Sequence, residues 1–300
     1  MKNEISRIIK QFSPGLIFFL VVFCSCSSAP KKPTEIFTER NTASNQLALA
    51  NQTASHGHYE DALIIIENAR RIAIGTDDPE LRVRTLISRG NILFSLGQTR
   101  EAVEDFENAA SEAEAAGNGL LAALARVFLI RTSILTIAAD SSASSSSAAA
   151  SASASIEEYK DRINGEMPAL RSDQLSTAAG YITLGLAEKE LGRWEEAEAA
   201  LRRALDVHEK NLNLEEAAYD WFLIASIRSM AGDYDAAINA LQRAIGFDRR
   251  AENGYGLASS WQAMGEVYQK AGRAEEARAA FERSEEIFDA INLPRQKQQQ

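Results

Sequence analysis

The sequence predicts an all-α chain, an α-solenoid of about six antiparallel helix pairs, and three observations carry that expectation. Gly192, Gly232 and Gly272 are spaced 40 residues apart, and so are Gly57 and Gly97. Apolar helical patterns flank each of these glycines, and a fixed period of this size is the signature of stacked helical repeats. The composition agrees: 45% hydrophobic and 25% charged residues with only six prolines, and no alternating β-branched run long enough to suggest a sheet.

The formal charge of −10 lacks the basic stripe that phosphate binding needs, so no nucleic-acid partner is expected. No nucleophile elbow or phosphate loop is present. The three histidines are His56, His58 and His208. The first two lie in a repeat turn, where other copies carry Leu96 and Gln98 or Leu191 and Arg193, and are expected as a solvent-exposed pair. Acids such as Glu195-Glu196 and Glu275-Glu276 follow the turns, where a helix dipole favours them. The expectation is therefore no enzyme, no metal and no cofactor.

Residues 1–25 read as a signal peptide. Lys2, Arg7 and Lys10 precede the apolar run Leu16 to Phe23, which is too short for the about 20 residues that span a bilayer. Phe23-Cys24-Ser25-Cys26 resembles a lipoprotein processing site with Cys26 as the acylated residue; plain secretion or a retained anchor is the alternative. A disulfide between cysteines two apart is geometrically poor. Several acyl chains, each CH₂ contributing about 0.8 kcal/mol, would hold the protein, as a palmitate-type lipoprotein, to a membrane.

Residues 26–42 read as a flexible tether, 43–293 as the repeat domain, and 294–300 as a polar tail. Within the domain, Asp78 is placed to cap a helix that begins at Pro79. Gly97 to Gly192 spans two periods plus about 15 residues. The Ser/Ala tract at 139–155 accounts for the excess, and is expected as a solvated, mobile loop inserted in the turn of unit three. Ile156 to Ile163 is expected as a shortened return helix.

Small residues recur seven before each turn glycine (Gly185, Ala225, Gly265) and five after it (Ala62, Ala102, Ala197, Ala237, Ala277). Aromatic knobs sit nearby: Tyr181, Trp221, Trp261, Phe106 and Phe281. A larger side chain at the small positions would force the paired helices apart. This constellation resembles the tetratricopeptide repeat family. Trp261, Met264-Gly265, Tyr268, Gly272, Ala277 and Phe281 match its pattern closely, with Ser284 in place of the last alanine. The period of 40 departs from that family's usual 34 and is similar to its longer-helix members.

The resemblance implies a superhelix whose first helices line an inner groove, roughly 24 Å deep for helices of about 16 residues. It places Asn51, Arg84, Asn91, Phe94, Lys189, Tyr219, Phe222, Met230, Gln262 and Gln269 on the inner wall, although several could instead pack against the next unit. Asn51 and Asn91 share one register position, but Leu47 stands where a carboxylate clamp would need a basic partner. The function this implies is a membrane-tethered periplasmic scaffold in the bacterial cell envelope. It would hold a protein or peptide in the concave groove, in assembly of an envelope complex. An accessory to a TRAP-type solute transporter and an enzyme subunit are the alternatives. A homo-oligomer through Phe281, Ile287 and Ile291 is a further expectation, should the last helix lack a polar outer face.

Overall fold

The computed structural model describes residues 37–141 and 146–291. Cys26, with the expected signal peptide, most of the tether and the polar tail, lies outside the described residues. The compact unit begins at Glu39. Twelve helices follow in order: α1 (Thr38–Ser55), α2 (Tyr59–Gly75), α3 (Pro79–Ser95), α4 (Thr99–Ala115), α5 (Gly119–Ser141), α6 (Ser146–Leu170), α7 (Gln174–Glu190), α8 (Trp194–Lys210), α9 (Leu214–Met230), α10 (Tyr234–Ala251), α11 (Gly254–Lys270) and α12 (Ala274–Ile291). They form six consecutive pairs, and no strand occurs among the described residues.

The turn glycines end the first helix of every unit except unit three, as the spacing predicts. Gly57, Gly97, Gly192, Gly232 and Gly272 all have φ between 72° and 82°, the left-handed region in which a Cβ is penalised. At Gly97 the amide donates to the Phe94 carbonyl at 3.0 Å, and the Gln98 amide reaches back to Leu93 at 2.9 Å. That pair of bonds satisfies carbonyls the helix would leave open. Asp78 caps α3 as expected, accepting from the Leu81 amide at 3.0 Å with Pro79 following it.

Within each pair, the small residue before the turn meets the knob after it. A Cβ on Gly90 would lie 2.7 Å from the Phe106 ring, one on Gly185 2.8 Å from Leu201, and one on Gly265 2.6 Å from Phe281. The alanines Ala62, Ala102, Ala197 and Ala237 are completely buried. Ser284 is buried too, and its hydroxyl donates to the Ala258 carbonyl at 2.8 Å, tying α12 to α11.

Unit three departs from expectation. The Ser/Ala tract is helical at its described positions, extending α5 to Ser141 and starting α6 at Ser146. Alanine is the strongest helix former, and Ser153 settles its hydroxyl on the Ala149 carbonyl at 3.1 Å. The return helix is thus lengthened to 25 residues, against 17 or 18 in the other return helices. α5 is apolar and long enough to cross a membrane by composition, yet Ala123, Val127, Ile130 and Ile134 are buried against α6 and α7 as a core helix. Residues 38–42, expected within the tether, are part of α1.

The outer face of α12 presents Arg278, Glu282, Arg283 and Glu286 to solvent and so ends the stack in charge. Phe281 is held against Gly265, and Ile291 stands where a Cβ on Gly254 would be 2.7 Å from it. Two of the three side chains expected to support self-association are therefore engaged within unit six.

Candidate functional site

The first helix of each unit (α1, α3, α5, α7, α9, α11) builds one wall, and its curvature is tight enough to bring distant units together. The turn of unit one docks on units five and six. Gly57 lies under the Tyr255 ring, where an added Cβ would be 2.5 Å away. Tyr59 and Tyr255 meet edge to face with centroids 6.4 Å apart, and Tyr255 packs the same way on Phe288 at 5.9 Å. His56 Nε2 lies 3.4 Å from Glu215 on α9. Beside this seam a crevice of 420 Å³ is lined by Asn51, Gln52, Ser55, Leu214 and Glu215. The turn location of His56 and His58 thus agrees with the sequence. Their shared exposure does not: His58 is exposed, but His56 is half-buried in the seam.

The expected groove residues divide by environment. Asn51, Arg84, Met230, Gln262 and Gln269 are exposed. Arg84 is engaged by Glu80 one turn earlier, at 2.9 Å. Lys189 is half-buried and paired with Glu190 at 2.8 Å. Phe94 and Phe222 pack at the edges of the cores of units two and five, so they serve cohesion. Asn91 is half-buried.

Tyr219 is the informative one. Its residue is 48% exposed, and desolvation raises its phenol, against the pull of Arg131. On unit one, the Tyr59 hydroxyl is pushed up to about 12 by burial and by Tyr255.

Two polar groups of this region, Arg131 and Asp220, escaped the sequence reading. Arg131 on α5 donates from Nε to Thr183 Oγ1 at 3.0 Å and from one Nη to the Ala179 carbonyl at 2.8 Å, and it lies over the Phe128 ring at 4.7 Å. Asp220, beside Tyr219, is fully buried, and its Oδ2 sits 2.6 Å from His208 Nδ1. Desolvation raises the Asp220 carboxyl, while His208 and Arg131 oppose that rise. A signal for Arg131 was present, since it stands 40 residues after Asn91 and 80 after Asn51, in the same column. Among the described residues no cluster of three or more His, Cys, Asp or Glu could hold a metal.

Residues 176–250 and 214–290 match one tetratricopeptide repeat model, and residues 83–115 match a second. Residues 83–115 and 176–290 carry tetratricopeptide repeats. The matches cover units two and four to six. Two solved structures are similar in fold. BtubC (BKLC) from P. vanneervenii is 18% identical with a TM-score of 0.52, covering 84% of this chain and 95% of that one. The Rap protein complexed with competence and sporulation factor is 14% identical with a TM-score of 0.56, covering 83% and 76%. No curated protein sequence matches.

Proposed function

We propose that this chain is a lipid-tethered scaffold of the bacterial cell envelope that holds an extended peptide or protein segment along the concave wall of its repeats. The observation that carries the reading is Tyr219, a large aromatic 48% exposed on a first helix, with Met230, Gln262 and Gln269 exposed on the same series of helices. A wall that offers an aromatic face beside amides such as Gln262 and Gln269 suits main-chain and side-chain contacts of an extended segment. The similarly folded Rap protein is seen in complex with a factor, which supports occupancy of such a repeat stack by a partner. The tether rests on the Cys26 sequence context, with acylation holding the repeats beside the membrane.

Two measurements test the two parts. Radiolabelled palmitate should enter the wild-type chain but not Cys26→Ala, which should leave the membrane fraction. A partner that co-purifies with the wild type should be lost on combining Tyr219→Ala with Gln262→Ala and Gln269→Ala. It should persist with Arg278→Ala and Glu282→Ala on the outer face of α12. The opposite pattern would move the binding surface off the concave wall.

A further inference from the structure

Joints between successive units are made by helices packed along their lengths, whereas the seam that returns unit one to units five and six is made by a turn set against helix ends. Its apolar part is the Tyr59, Tyr255 and Phe288 ladder over Gly57. Its polar part converges on one carboxylate, Glu215 in the first turn of α9. From the turn of unit one, His56 Nε2 lies 3.4 Å from Glu215 Oε1. That nitrogen is buried and has no hydrogen bond among the described residues, so a proton on it would be directed at Glu215. From the end of α10, Asp248 sits under the start of α11, where an added Cβ on Gly256 would collide with its Oδ1. Burial raises the Asp248 carboxyl to about 7, and Glu215 adds to the rise. Repulsion between two carboxylates is reciprocal, so an Asp248 that loses its proton sets a second negative charge against Glu215.

The two neighbours of Glu215 change charge in the same sense. A histidine carries its charge only toward the acidic end of the range from about pH 5 to 8, and Asp248 is neutral at that end. As the pH rises, Glu215 loses an attractive partner and gains a repulsive one. The other acids and bases of the elements that meet here are exposed. They are His58, Glu60 and Asp61 at the start of α2, Glu216 on α9, Arg249, Arg250 and Glu252 at the end of α10, and Glu285 and Asp289 on α12. Among the described residues, the ion-pair contact of Glu215 is with His56. Tyr59, with its hydroxyl pushed up to about 12, stays neutral throughout.

We infer that this seam is a proton-operated latch: with His56 and Asp248 protonated, Glu215 holds unit one against units five and six, and with both deprotonated it lets unit one go. The inference does not depend on what the concave wall binds. Release parts the two sides of the 420 Å³ crevice, with Asn51, Gln52 and Ser55 on α1 leaving Leu214 and Glu215 on α9.

Pulsed electron resonance on the detergent-purified full chain tests it, with spin labels on ketone-bearing residues at the exposed positions Ile64 on α2 and Ala290 on α12. The wild type should show one short distance at pH 5.5. By pH 8.5 the ratio of short to long distances should fall roughly five- to tenfold, the scale of two charge contacts at partly exposed sites. Glu215→Gln removes both the attraction and the repulsion, so its distances should be the same at the two pH values. Asp248→Asn should keep only the part of the change that His56 supplies. Tyr255→Ala should give the long distance at both pH values, which establishes that the labels report the seam, and circular dichroism should show each variant folded. A wild-type distribution that is the same at pH 5.5 and 8.5, or a pH dependence that a folded Glu215→Gln retains in full, would overturn the latch.

Discussion

His208 Nδ1 lies 2.6 Å from Asp220 Oδ2 at the joint between units four and five, and both side chains are almost wholly buried. The same two register positions hold Ala73 and Thr85 at the first joint. Here a polar pair stands in place of small side chains, and the other Asp220 oxygen has no hydrogen-bond partner among the described residues. Removing one partner should therefore cost more than removing both. Asp220→Ala should lose about 3 kcal/mol of stability, because it strands a buried imidazole. His208→Ala with Asp220→Thr, which copies the first joint, should recover to within about 1 kcal/mol of wild type. Urea denaturation of the three chains checks this.

Asp248 occupies the equivalent position at the joint between units five and six. Burial pushes its carboxyl up to about 7, opposed by bonds from Asn253 and Ser260 and reinforced by Glu215. The Asn253 amide donates to its Oδ1 at 3.1 Å. The unfolded carboxyl titrates near 3.8, so the folded state holds the proton more tightly over that interval. Its contribution to stability is full below about 4 and is lost as the pH rises through about 7. Asp248→Asn should flatten this dependence, becoming more stable than wild type at pH 8 by a few kcal/mol and comparable at low pH. Denaturant midpoints at pH 5 and 8 measure the difference.

Two glycines inside helices should respond in opposite ways to alanine. Gly246 in α10 is exposed with open space around it, so Gly246→Ala should stabilise the chain by about 1 kcal/mol through helix propensity. Gly265 lies against the Phe281 ring, which a new Cβ would approach to 2.6 Å. Gly265→Ala should destabilise by about 1–3 kcal/mol. Thermal unfolding of both variants separates propensity from packing.

The repeat register was legible in the sequence because it depends on contacts local to one unit. The turn glycines at positive φ, the Gly265–Phe281 and Gly185–Leu201 meetings, and the Asp78 cap all follow from spacing and residue type. The seam was not legible. The meeting of Gly57 with Tyr255 depends on small rotations accumulated over successive units, and no pair of neighbouring residues encodes that sum. Arg131 was obscured for a different reason: the turn of unit three lacks its glycine, although α5 keeps the column of Asn51 and Asn91. The helical Ser/Ala tract shows alanine propensity, and packing around Ile156, prevailing over the tendency of serine to compete with the backbone.

The seam yields its own prediction. Tyr255 contacts Gly57, Tyr59 and Phe288, and Glu215 approaches His56. Tyr255→Ala combined with Glu215→Lys should release unit one from units five and six without unfolding the repeats. Small-angle scattering should then show a larger radius of gyration with unchanged helical content. An unchanged radius would mean that the seam contributes little to the curvature.

The central claim is that the partner lies on the concave wall beside Tyr219. A photo-reactive phenylalanine analogue placed at Tyr219 in the living cell tests this most directly, with the same residue at Glu282 on the outer face of α12 as control. A discrete cross-linked product is expected from position 219 and none from position 282. Products at 282 with none at 219 would contradict it.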